Sequence, residues 1–120
     1  MQGERWKAKM VKLSILFRKP TDLDSFENIY QDFLALIERM PDVKRRQANT
    51  VLGSPFGESP FYRILEVYYD DYAILNSSLL SPAGQEAGGE LRRLEGGSFE
   101  MFFADVYEED GGRTNIKGDS

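Results

Sequence analysis

The segment Leu52 to Tyr72, LGSPFGESPFYRILEVYYDDY, constrains the fold more than any other part of the chain. Its first part, GSPFGESP, crowds glycine, proline and serine together, which forces an exposed connection of moderate length. Phe61 to Tyr69 then reads as a strand, because aromatic and β-branched side chains suit a pleated surface. Asp70 or Asp71 follows as a helix cap, since a short carboxylate accepts hydrogen bonds from the free N–H groups of the first turn. One strand ends, a turn intervenes, a second strand runs and a helix starts.

The flanks supply the other elements. Met10 to Arg18 alternates, with Val11, Leu13, Ile15 and Phe17 on one face and Lys12, Ser14 and Arg18 on the other, the pattern of a half-buried strand. After Lys19-Pro20, the candidate caps are Thr21, Asp22 and Asp24, the last forming a capping-box pattern with Glu27. Phe26, Ile29, Tyr30, Phe33, Leu34, Ile37 and Met40 follow at helical spacing, and Pro41 ends that helix. Val43 to Leu52 predicts a strand with a basic start and a weak apolar face. A short helix to about Leu80 is followed by one capped by Ser81, with Pro82 in its first turn. Glycines within PAGQEAGGELRRLE weaken a helix and predict close packing against a sheet or a partner. Gly96-Gly97 closes this helix, and Ser98 to Tyr107 is the last strand.

The order β-α-β-β-α-β predicts an α+β, ferredoxin-like fold: one four-stranded antiparallel sheet with the helices on one face. At 120 residues the chain suits one domain. Residues 10–109 are expected to form it, with 1–9 a flexible lead-in and 110–120 a disordered tail; Met10 is an alternative start. The sheet's second face would carry Leu16, Ile64, Tyr68 and Phe102 among Lys12, Ser14 and Glu66. A mixed patch of this size predicts a homodimer through the open face, because a two-fold axis lets one surface cover itself.

Composition removes several classes of function. Histidine and cysteine are both absent, which excludes Ser-His-Asp and Cys-His catalysis, proximal-His haem binding, disulfides and Cys-based zinc sites. The net charge of −5, with acidic residues spread along the chain, argues against a nucleic-acid partner. Arg5, Lys7, Lys9 and Lys12 make a short interrupted run that reads as a solvated tail. No stretch approaches the ~18 apolar residues that cross a bilayer, so no membrane association and a cytoplasmic location are expected. Neither a GxGxxG nor a P-loop, GxSxG or metal-spaced cluster is present, so no cofactor and no metal are expected.

Residues 10–109 resemble the EthD-like family (ethyl tert-butyl ether degradation protein-like) of the dimeric α+β barrel superfamily. The resemblance rests on the G-x-P-x-G-x-x-x-[FY]-Y turn and acidic helix start, here Gly53, Pro55, Gly57, Phe61, Tyr62 and Asp70-Asp71, together with SPAGQEAGGEL. It implies a dimeric α+β barrel and association with the breakdown of ethers or other small apolar compounds. The family's first helix commonly carries a tyrosine pair and a His-x-Pro element. This chain has Ile29-Tyr30 and Leu34-Ala35-Leu36 there, so histidine-dependent chemistry does not transfer.

Alternation from Phe61 puts Phe61, Arg63, Leu65, Val67 and Tyr69 on the helix-facing side. Arg63 is the odd member: a guanidinium in an apolar layer must be paired, for instance with Glu38, Asp32 or an acidic C-terminal residue, or must meet a ligand. Tyr30, Phe33, Leu34, Arg63 and Tyr69 are the candidate ligand-binding residues, because small-molecule sites are mostly apolar with few polar groups. Tyr62 is expected to face the dimer partner, and Glu66 to make an intersubunit contact. The first reading is a homodimer binding a small apolar molecule between helices and sheet. The alternative is a non-catalytic accessory or assembly module whose dimer interface is its function, followed by a cofactor-independent monooxygenase or decarboxylase.

Overall fold

The computed structural model describes residues 10–109; the expected lead-in and tail lie outside the described residues. The elements are β1 (Met10–Arg18), α1 (Leu23–Ile37), β2 (Arg45–Thr50), β3 (Phe61–Tyr69), α2 (Tyr72–Leu80), α3 (Pro82–Leu91) and β4 (Phe99–Val106). The sheet order is β2-β3-β1-β4, with every neighbouring pair antiparallel. This is the predicted ferredoxin-like α+β architecture, with the second helical segment divided into α2 and α3.

The alternation in β1 decides which face is buried. Leu13 lies between Val67 and Phe103, and Ile15 between Leu65 and Met101. Leu13, Ile15, Phe17, Leu65, Val67 and Tyr69 are buried against Phe26, Tyr30, Phe33 and Ile37 of α1, with Leu75, Ala87 and Leu91 of the later helices. Each fully buried side chain of this size contributes about 1.5–3 kcal/mol, which makes this layer the main source of stability. The outer face carries Lys12, Ser14 and Leu16 beside Ile64, Glu66 and Tyr68, the row expected from the sequence.

Helix starts follow their caps. Asp22, extended at φ −128°, accepts from the Ser25 N–H at 3.1 Å, so Asp22 rather than Asp24 caps α1. Asp24 lies in the first helical turn, and Thr21 hydrogen-bonds Glu95 instead. Asp71 accepts from the Ile74 N–H at 2.9 Å to start α2, and Ser81 from the Gly84 N–H at 3.1 Å to start α3 with Pro82 at its first position.

Four expectations are corrected. α3 stops at Leu91 rather than at Gly96-Gly97, because the Arg93 and Leu94 N–H groups bond the carbonyls three residues back and tighten the chain into turns. β2 covers only part of Val43 to Leu52: it is an edge strand with every residue exposed, although the Lys44 and Val51 N–H groups still bond Tyr68 and Tyr62. The predicted glycine packing is found at Gly84, where an added Cβ would lie 2.4 Å from the Ser78 and Leu79 carbonyl oxygens. That contact is with α2 rather than a sheet, and Gly88 has open space where its Cβ would stand.

The fourth correction concerns β3. Arg63 lies opposite Phe17 but Phe61 opposite Arg18, so Tyr62 is an extra residue and the register slips. A bulge of this kind reverses the side of every residue before it. Phe61 therefore leaves the predicted helix-facing row and lies beneath the Arg18 guanidinium, 5.0 Å from its ring centre. Tyr62, expected to face a partner, packs on Phe26 of α1 with ring centres 5.7 Å apart.

Candidate functional site

The bulge brings Tyr62 and Arg63 together beneath α1, where Glu27 meets both. Glu27 and Tyr30 stand three residues apart, a spacing that shares one helix face. The Arg63 Nη1 and Nη2 each donate to a different Glu27 oxygen at 3.0 Å, and the Tyr62 hydroxyl donates to Glu27 at 3.1 Å. The Arg63 side chain is 14% exposed. Its guanidinium lies over the rings of Tyr30, Tyr62 and Phe26, at 4.6, 5.0 and 5.7 Å from their centres. A weakly hydrated planar cation suits such an aromatic wall.

Hydrogen bonds from Arg63 hold the Glu27 carboxyl below its ordinary range against the opposing effect of burial, and the Arg63 charge and Tyr62 add to the lowering. Arg63 is raised in turn, first by its hydrogen bonds to Glu27. Both groups are thus ionised near neutrality. Tyr30 is 4% exposed, and its hydroxyl is the one buried side-chain nitrogen or oxygen without a hydrogen-bond partner among the described residues. Burial pushes this phenol up, and Arg63 offsets part of the rise through its charge and through an approach to the phenol oxygen that falls short of full hydrogen-bond geometry, which leaves the phenol's own O–H without an acceptor. The result is a neutral phenol that holds an unused donor beside a fixed cation.

A second feature lies between helices and sheet. An apolar cavity of about 50 Å³ is lined by Ile15, Val67 and Tyr69 from the sheet, Phe33 and Ile37 from α1, and Leu91 from α3, among others. The Tyr69 hydroxyl shares a hydrogen bond of 3.0 Å with Ser78, and burial raises its pKa.

Tyr30 and Arg63 therefore come together, as do Phe33 and Tyr69, but the cavity lining contains neither Tyr30, Leu34 nor Arg63. Leu34 is half-buried against the core, and its carbonyl accepts from Arg46 at 3.2 Å. Arg63 pairs with Glu27, not with Glu38, which faces Arg46, or Asp32, which faces Arg93. The sequence places Glu27 in a capping-box pattern with Asp24, and its position three residues before Tyr30 is the signal for its place on the Tyr30 face. Glu66 also finds partners within the protomer. Lys12 donates to it at 2.8 Å and Tyr68 at 3.3 Å, and although burial raises its carboxyl, Lys12 brings it net below the ordinary value. Among the described residues, no helix is long and apolar enough to cross a membrane.

No family model matches the chain. A curated relative, an uncharacterized 11.0 kDa protein of the thcB-thcC intergenic region of Rhodococcus erythropolis, is 25% identical over 97 residues, covering 80% of this chain and 94% of the relative. An EthD (ethyl tert-butyl ether) family protein from Bacillus halodurans C-125 superposes with a TM-score of 0.76 at 28% identity, covering 81% of this chain and 98% of that one. A hydroxynitrile lyase from Passiflora edulis gives 0.70 at 17% identity, covering 87% and 99%. A dimeric protein of unknown function with a ferredoxin-like fold, from Bacteroides fragilis, gives 0.60 at 15%, covering 82% and 97%. The latter two share the fold alone. The chain is thus similar to an EthD family protein in sequence and in fold, and it is a ferredoxin-like α+β domain, as are neighbours described as dimeric.

Proposed function

We propose that this protein is a cytoplasmic homodimer, associating through its open sheet face, that binds a small, largely apolar molecule carrying one oxygen atom between α1 and the sheet. The observation that carries the reading is the buried, unpartnered Tyr30 hydroxyl beside the Arg63 guanidinium. A buried donor without an acceptor costs about 1–3 kcal/mol, and a ligand oxygen would remove that cost. Glu27 uses one N–H from each terminal nitrogen of Arg63, so the guanidinium retains donors for the same oxygen. Phe26, Tyr62 and the ring of Tyr30 pack on one another at this point, with ring centres 5.6 and 5.7 Å apart, and would part to admit the ligand's apolar group. The EthD family neighbour is named for ethyl tert-butyl ether, a molecule of this class.

The test is a titration of the labelled protein with ethyl tert-butyl ether and similar small ethers, followed by amide chemical shifts. The expected result is a saturable perturbation around Arg63 and Tyr30, with affinity lowered about three- to tenfold in Tyr30→Phe, the value of one hydrogen bond. Shifts that do not saturate, or that Tyr30→Phe leaves unchanged, would remove the support for the reading.

One observation favours the second reading, an assembly module without a ligand. The helix-sheet cavity measures about 50 Å³, well below the ~300–1,000 Å³ of most small-molecule sites. A dimer that never acquires a ligand in the titration would be the result expected of that module.

A further inference from the structure

Beyond the ends of β2 and β3 the chain continues as an ordered arm, residues 51–60. Its tip is closed by reciprocal backbone hydrogen bonds between Ser54 and Gly57, at 2.8 and 3.1 Å, and the Phe56 N–H donates to the Ser54 hydroxyl at 3.1 Å. Gly57 sits at φ 119°, which side chains rarely adopt, so the turn depends on glycine. Pro55 and Pro60 stiffen the arm further. The arm carries Leu52 at 100% and Phe56 at 97% exposure, more exposed than any other large apolar side chain described. A flexible loop could fold such side chains back onto the body; this one is held by its own hydrogen bonds with both side chains outward.

We infer that the arm is a docking element that buries Leu52 and Phe56 against a second copy of this chain. The inference rests on the homodimer reading and assigns it a specific contact. The area required favours a second copy. A buried aromatic removes roughly 150–250 Å² from water, and a standard interface takes about 800 Å² from each partner. Under two-fold symmetry both arms engage, and each protomer contributes one arm together with the surface that the other arm covers. Two arms therefore supply a large share of what a stable dimer needs, while one arm on an unrelated partner supplies half as much. At the arm's base lies a recess of about 70 Å³, lined by Leu52 itself with Lys19, Val51, Glu58 and Phe61, among others. Phe61 is present there only because the bulge at Tyr62 turns it away from the helices. A lipid surface is the poorer occupant, because the chain carries a net charge of −5 and the arm itself carries Glu58.

The test uses the full chain and the double variant Leu52→Ser/Phe56→Ser. Both side chains lie outside the core, so circular dichroism should show the wild-type fold. Sedimentation equilibrium should give a wild-type dimer and a dimer dissociation constant raised at least a hundredfold in the variant. A benzophenone amino acid at position 56 should cross-link one protomer to its partner. A wild-type dimer that the double variant leaves unchanged, with no cross-link from position 56, would overturn the inference and leave the homodimer reading intact. A monomeric wild type would overturn both. Binding of the wild type, but not the variant, to phosphatidylcholine–phosphatidylglycerol vesicles with dimerisation unchanged would assign the arm to lipid and overturn the inference.

Discussion

Replacing Tyr30 by Phe should stabilise the ligand-free protein, the opposite of what most core substitutions do. The ring's contacts survive: Phe17 meets it edge-on at 5.5 Å, Phe26 stacks on it at 5.6 Å, and the Arg63 guanidinium covers it at 4.6 Å. Only the hydroxyl is lost, and in the native structure it is buried without a partner. The unfolded chain hydrates that hydroxyl fully, so folding bears a penalty of about 1–3 kcal/mol that the variant escapes. Nearby Arg63 donors and partial relaxation reduce the benefit, giving an expected gain of about 1 kcal/mol, or roughly 4–8 °C in melting temperature for a domain of this size. Tyr69→Phe is the control, because the same atom is removed from a hydroxyl that Ser78 engages at 3.0 Å. It should lose about 1 kcal/mol, since Ser78 is left buried and alone. Urea unfolding at one fixed protomer concentration measures both, as dimerisation contributes to apparent stability. A Tyr30→Phe variant destabilised by 1 kcal/mol or more would refute the reasoning, because it would mean that the hydroxyl is satisfied in the folded protein.

Glu27→Ala should cost about 2 kcal/mol by leaving the Arg63 cation without its partner, while Glu27→Ala/Arg63→Met should recover at least 1 kcal/mol of the summed single losses in a double-mutant cycle; additive losses would refute the pairing. The folded-state pKa of Glu27 is lowered from an ordinary value of 4.5, so its contribution is complete above that pH and is lost as pH falls through the lower folded value. The stability difference between wild type and Glu27→Gln should therefore be flat near neutrality and shrink in acid; a constant difference down to the acid transition would contradict the shift. Gly84→Ala should lose about 1–3 kcal/mol in urea unfolding, because its Cβ would lie 2.4 Å from two backbone oxygens of the α2 end, whereas Gly88→Ala, in open space, should be neutral or stabilising.

The sequence carries the fold where one physical rule acts alone. β1 matches its expected bounds through period-two alternation, and β3 through its run of aromatic and β-branched residues between turn formers. Asp71, Ser81 and Pro82 mark helix starts because capping is local chemistry. The bulge at Tyr62 was not legible: strict alternation predicts Phe61 on the helix side, and only the pairing of β3 with β1 shows the extra residue. For the same reason, the cluster of Glu27, Tyr62 and Arg63 was half visible. Arg63 declared itself as a charge in an apolar row, but its partner depends on how α1 lies across the sheet, which neither strand nor helix encodes by itself. Tyr30 was legible as a face residue, but its unsatisfied hydroxyl depends on every neighbour at once.

Native mass spectrometry of protein purified from cell extract reports subunit number and retained small molecules together, and so tests the ligand-binding homodimer most directly. The account predicts a dimer that carries additional mass, lost on heating and retained in a smaller fraction of Tyr30→Phe. A monomer, or a dimer that stays bare in every extract, would contradict it.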